Sequence, residues 1–276
     1  NVRRYLDADP LGPFGFSGWV GPEPRGGLFA NCGLVREPLI ADRTVAWLED
    51  RYRRRAAGDA DALKPFLLVV SFVNPHDIVL FPLWIQRGMP RELDGVKVPS
   101  VPMSPSDFED LRHKPAAHIA YRAAYPSCYG PGDTVAALYS KNHQRYRDLY
   151  YQLHATVDGP LDRVRRAATD GPSATKGDAV IVRTADHGEL LGSHGGLHQK
   201  WFQLYDEATR VPFAIARVGA HSTTGRRVDS PTSHVDLVPT LLAAANIDLA
   251  TTAAALAEGF TEVHPLPGSD LMPVVD

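Results

Sequence analysis

The sequence predicts an α/β fold, a largely parallel central sheet flanked by helices. Three observations carry this. A continuous apolar run, residues 66–73 (FLLVVSFV), has strand length and no polar interruption. A second run, Ala179-Val180-Ile181-Val182, ends abruptly in a dense polar cluster. Between them lies a long segment, residues 140–169, whose apolar positions recur at spacings of three and four. Unbroken apolar strands suit a sheet covered on both faces, and strands alternating with helices suit parallel pairing.

In chain order, residues 1–38 are rich in Gly and Pro with interleaved aromatics. They read as an ordered loop segment, because Phe14, Phe16 and Trp19 need burial. Residues 40–56 read as an amphipathic helix with Ile40, Val45, Trp47 and Leu48 inward. The basic run Arg51-Tyr52-Arg53-Arg54-Arg55 falls at its end, where cations complement the helix dipole. The strand at 66–73 closes on Asn74-Pro75-His76-Asp77. Residues 82–132 are proline-rich and aperiodic, and are expected to form an irregular insertion shaping a substrate pocket. In the helix at 140–169, Tyr146, Leu149, Tyr150, Leu153, Val157, Leu161 and Val164 form the inward stripe, and Gly159-Pro160 is expected to kink or split it. A polar loop at 170–178 precedes the strand at 179–184; another strand spans 210–216, and Val235–Leu242 begins a further helix.

The chain's 276 residues suffice for one large domain, burying about three quarters of the unfolded surface. Its net charge of −3 creates no general basic field for nucleic acid. No apolar stretch approaches the roughly 18 residues of a membrane span. Two cysteines, Cys32 and Cys128, do not make a disulfide framework. The first residues lack an initiator Met and an apolar leader, so the chain is expected to begin inside a longer protein, and no compartment is read from it.

Chemistry concentrates after the second strand. Thr184-Ala185-Asp186-His187-Gly188-Glu189 is followed by His194-Gly195 and by Lys200. A carboxylate beside an imidazole at a strand's carboxyl end puts two metal-ligand types where α/β sheets bind ligands. Lys200, beyond a glycine-rich turn, is a candidate clamp on anionic oxygens. His76 would emerge at the same sheet edge if both strands were parallel, as an acid for a leaving alkoxide. His194 and His198 have i, i+4 spacing, but Gly195-Gly196 between them argues against a helical zinc pair. Together these residues point to metal-assisted chemistry on an anionic ester.

The segment TADHGELLGSHGGLHQKWFQLYDEATRVPF (184–213) resembles the second-half signature of the sulfatase family, within the alkaline phosphatase superfamily. FLLVVSFVNPHD (66–77) resembles that family's central strand, SHVDLVPTLLAAANI (233–247) its helix after the metal site, GSDLMP (268–273) a short motif beyond it, and GF-x-x-W-x-GPEP (15–24) a weaker match. The Asp-His form is similar to choline-sulfatase-like and phosphonate-monoesterase-like members.

The resemblance implies that Asp186 and His187 are metal ligands, that Lys200 contacts the ester's anionic oxygens and that His76 stands on the leaving-group side. His194 and His198 are expected to line the substrate pocket. It also implies one divalent ion, Ca²⁺ first, with Mn²⁺ or Mg²⁺ as alternatives, and a small-molecule sulfate ester as substrate. The alternatives are a phosphonate monoester or phosphodiester hydrolase on the same scaffold, or a non-catalytic descendant.

The family's nucleophile sits in a Cys/Ser-x-Pro-x-Arg motif, its Cys or Ser converted to formylglycine. Residues 1–60 contain none: Cys32-Gly33-Leu34-Val35-Arg36 has Leu where Pro is required. The chain is therefore expected to be a partial catalytic domain over 1–276, incomplete at its N-terminus, inactive by itself and weak in binding metal.

Overall fold

The computed structural model describes residues 2–21, 29–170, 179–218 and 225–275. The loop expected at 170–178 and the GPEP end of the weaker motif lie largely outside them. The helices, in chain order, are α1 (Val2–Ala8), α2 (Gly33–Ala56), α3 (Ala60–Leu63), α4 (Phe81–Arg87), α5 (Ala116–Ala124), α6 (Gly132–Lys141), α7 (His143–Thr169), α8 (Ser193–Gly196), α9 (Asp206–Thr209), α10 (Leu237–Ala244), α11 (Leu249–Ala257) and α12 (Met272–Val275). The strands are β1 (Ala179–Thr184) and β2 (Phe213–Val218). The chain divides into two compact units.

The first unit comprises the described residues of Asn1–Leu48, Leu68–Ala167 and His187–Arg210. Its core is built on α7. Of the stripe read from the sequence, Tyr146, Leu149 and Leu153 pack with Phe81, Trp84, Tyr125, Tyr139, Leu190 and Leu197; Val157 is also buried, and Tyr150, Leu161 and Val164 are half-buried. α7 is continuous past Pro160, so of the expected kink or split the split does not occur. One missing amide bond does not end a helix whose other turns are held by packing.

The opposite, polar face of α7 grips the proline-rich segment. Asp148 accepts from the amide of Val101 (2.9 Å), Gln152 donates to the carbonyl of Val96 (2.7 Å), and Arg147 donates to the carbonyl of Val101 (3.2 Å). Arg147 also pairs with buried Asp107 at 3.3 Å. A segment without repeating structure of its own thus has its backbone groups satisfied by side chains. Within the expected irregular region, residues 81–87 and 116–124 are helical, and the aperiodic stretch is 94–110.

The second unit comprises the described residues of Glu49–Leu67, Ala168–Asp186 and Val211–Asp276. Its sheet pairs β1 with β2, Ala179 opposite Val218 and Thr184 opposite Phe213. The pairing is antiparallel, which corrects the parallel arrangement expected for these strands. Parallel neighbours need a crossover, usually a full helix, whereas only the one-turn α8 and α9 lie between β1 and β2. A further correction concerns residues 66–73, which form no strand among the described residues. Val69 is 66% exposed, so this apolar run lacks the flanking ladders that a central strand requires.

The 233–247 and 268–273 motifs lock together in this unit. Ser233 and Asp236 form a reciprocal capping box ahead of α10. The Asp236 carboxylate also accepts from the amide of Ser269 (2.8 Å), and these amide bonds hold its carboxyl below the usual range. Thr240 Oγ1 donates to the Asp236 carbonyl (2.6 Å) and accepts from the amide of Leu271 (2.9 Å). A Cβ at Gly268 would stand 2.0 Å from the Val235 carbonyl oxygen, so only glycine permits this approach. Among the described residues no single helix is long and apolar enough to cross a membrane.

Candidate active site

His76 is placed by a buried carboxylate. Glu37, in the first turns of α2, is fully enclosed and accepts from the amides of Asn74 (2.5 Å) and Val73 (3.1 Å) and from the Asn74 side chain (3.2 Å). The Asn74–Pro75 peptide is cis. Asp77 then turns back to the start of α2, accepting from the amide of Leu34 at 3.4 Å and from that of Gly33. A carboxylate at a helix N-terminus satisfies donors that the helix leaves open. Burial outweighs those bonds and pushes the Asp77 carboxyl up to about 6. His76, between these two fixed points, is exposed.

The signature segment from Gly188 onward is a tightly tied loop. The amides of Gly188 and Glu189 donate to the carbonyls of Ala208 and Glu207, both at 2.8 Å. A Cβ at Gly188 would meet the Glu207 carbonyl oxygen at 2.0 Å, which explains the glycine. Leu191, His194, Gln199 and Phe202 all have positive φ (50°, 53°, 65° and 59°). Each such non-glycine residue costs about 1–2 kcal/mol, and concentrations of this kind mark functional loops. Lys200 lies among them, partly exposed.

His194 and His198 go to different surroundings. The His194 ring lies between Glu109 (Nδ1 to Oε2, 2.8 Å) and Glu207 (Nε2 to Oε2, 3.1 Å), stacked on Tyr205 with centroids 3.6 Å apart. Lys114 pairs with Glu109 at 2.7 Å and, with His194, holds its carboxyl below the usual range. His198 is buried at 8% exposure among the rings of Tyr125, Tyr139 and Tyr146. Desolvation lowers its imidazole to about 3. Of these two residues expected to contact substrate, His194 is partly exposed and His198 is buried.

Of the two expected metal ligands, Asp186 ends a stretch of the second unit and His187 begins one of the first. His187 Nδ1 lies 2.9 Å from the Gly188 carbonyl. As a donor there, it leaves the Nε2 lone pair in the form a metal ion takes. In the second unit, Thr184 Oγ1 stands 3.4 Å from His234 Nε2. By donor type Asp186 and His187 suit a divalent cation, but among the described residues no group of three or more His, Cys, Asp or Glu could hold one. Two donors do not complete a coordination shell.

Neither cysteine is a nucleophile of the expected type. Cys32 is buried in the core, and desolvation, with Asp77 and Glu92, pushes its thiol up to about 12. Cys128 is exposed, and Tyr129-Gly130-Pro131 follows it. Sequence reading missed Glu37, the residue that fixes the His76 turn, because it lies before the amphipathic pattern that begins at Ile40.

Known proteins are similar to this chain over most of its length. A family model described as Sulfatase matches residues 37–247. An uncharacterized sulfatase of Escherichia coli K12 is 31% identical over 211 residues, 75% of this chain and 37% of that protein. The choline-sulfatase of Rhizobium meliloti is 26% identical over 254 residues, 90% of this chain and 43% of that one. Among solved structures, a 2-O GAG sulfatase superposes with TM-score 0.61 at 22% identity, covering 93% of this chain and 48% of its own. The chain spans less than half the length of these relatives.

Proposed function

The chain belongs to the sulfatase family, and from that premise we propose that it is part of an enzyme that hydrolyses sulfate esters of small molecules. The observation that carries the reading is the loop after Asp186-His187, which presents Lys200 from a backbone that holds four non-glycine residues at positive φ. In hydrolysis water's oxygen ends on sulfur, the S–O bond to the alcohol breaks, and the departing alkoxide takes a proton. Lys200 is assigned to the sulfate oxygens, where a cation stabilises developing charge. His76 is assigned to the leaving oxygen.

A divalent ion, Ca²⁺ ahead of Mn²⁺ or Mg²⁺, would withdraw charge from the sulfate group, and Asp186 and His187 are assigned as two of its ligands on their adjacency in the motif. The described residues supply neither the remaining ligands nor a nucleophile, so this chain by itself is expected to show no turnover.

The test is steady-state kinetics on the full natural protein with aryl and alkyl sulfates and an aryl phosphonate monoester. Lys200→Ala should lower kcat/KM for sulfate esters about 10²–10³-fold. His76→Ala should hurt alkyl sulfates more than 4-nitrophenyl sulfate, whose leaving group needs no proton. Preferential turnover of the phosphonate would move the assignment to phosphonate monoester hydrolysis on the same scaffold. No turnover of any ester by the wild type would leave a non-catalytic family member.

A further inference from the structure

Glu189 follows the metal-ligand pair in the motif and has no part in the chemistry proposed above. We infer that Glu189 is the positioning residue for Lys200, its carboxyl group holding the loop that presents the ammonium. The inference rests on the role proposed for Lys200.

Glu189 is buried, and its Oε1 accepts from three donors: the amide of Gln199 (2.5 Å), the hydroxyl of Tyr146 (3.1 Å) and the amide of Leu191 (3.5 Å). Gln199 and Leu191 are two of the residues with positive φ, one at each end of the loop. A single oxygen therefore ties both strained ends together. The amide of Leu190 donates to the carbonyl of Gln199 at 3.1 Å, so the peptide plane leading into Lys200 is fixed from the same side. Lys200 is also among the charges acting on Glu189, which places its ammonium within electrostatic reach of the carboxyl.

The anchor is rigid. Tyr146 is fully buried on α7, and the backbone of Glu189 is bonded to Glu207. The far end of the loop is held independently: the amide of His194 donates to Ser106 Oγ (3.2 Å) and that of Gly195 to the Ser106 carbonyl (2.9 Å). Removing Glu189 leaves that tip attached and frees the base, from which Lys200 departs. A buried glutamate serving only the core would have no reason to join the amide next to the lysine to that at the loop's other end.

Two measurements test this. The first is amide hydrogen exchange on this chain for Glu189→Ala, Glu189→Gln and Tyr146→Phe. Residues 190–202 should exchange at least tenfold faster in Glu189→Ala, with a smaller rise in the other two, while the buried turns of α7 keep their protection. Unchanged exchange in 190–202, or a uniform rise across the chain, would overturn the inference. If Glu189→Ala fails to fold, Glu189→Gln and Tyr146→Phe decide the matter by the same criterion. The second is a double-mutant cycle on sulfate ester turnover by the full natural protein. Glu189→Ala combined with Lys200→Ala should lie within threefold of Lys200→Ala alone, because the first acts through the second. Losses that multiply would mean that Glu189 acts on its own account, and the positioning role would fall. Absence of turnover in the wild type would sink the sulfatase reading, and the exchange pattern alone would then decide whether Glu189 sets the loop.

Discussion

Two buried titratable side chains give opposite dependences of stability on pH. The His198 imidazole is held near 3 by desolvation, so the native state stays neutral where the unfolded chain takes up a proton. Its contribution is present above about pH 6.5 and is lost as pH falls toward 3, by about 1.4 kcal/mol per pH unit. Ring ¹⁵N shifts should therefore show a neutral His198 at pH 5; a charged ring there would contradict its burial among tyrosines. Asp77 runs the other way. Its carboxyl is raised to about 6, so the native state keeps a proton that the unfolded state releases near 4. Stability from this group falls as pH rises from about 4 to 6, by about 3 kcal/mol at most. Asp77→Asn should flatten that part of the stability profile in chemical denaturation, and an unchanged slope would mean that Asp77 is better solvated than its burial implies.

Among the elements, Gly188 offers a direct test of the signature loop. Gly188→Ala would drive a Cβ into the Glu207 carbonyl and break the two-bond ladder to residues 207 and 208. A loss of about 2–4 kcal/mol is expected in urea melts, and a neutral substitution would show that the loop has slack. The elements also show what could be read from sequence. α7 was legible because its stripe, from Tyr146 to Val164, repeats over about five turns and the core it faces is apolar. The start of α2 was not: the amphipathic pattern begins at Ile40, while the helix begins at Gly33, where Asp77, distant in sequence, caps its amides. Residues 66–73 have the composition of a central strand, but strand formation depends on partners that composition does not specify. At the site, the acid, imidazole and ammonium were legible as a motif. The fates of His194 and His198 were not, because Glu109 and Tyr139 come from other parts of the chain.

For the whole molecule, the donor count sets the expectation for metal. With only Asp186 and His187 contributed, calorimetric titration of this chain with Ca²⁺ should give a Kd no tighter than millimolar. Micromolar binding would reveal donors that the described residues do not assemble. The exposed run at 66–69 predicts self-association that grows with concentration in sedimentation velocity, and Val69→Lys should reduce it. The contrast between the two thiols has a practical consequence. At neutral pH Cys32 is sealed in the core with its thiol near 12, while Cys128 is open to solvent. A maleimide dye would therefore attach at one place. Its neighbour in the chain, Tyr129, stacks on Trp201 with centroids 6.4 Å apart, and Trp201 adjoins Lys200. The native sequence thus carries its own handle for an optical reporter, placed where rearrangement of the lysine-bearing loop would change the emission.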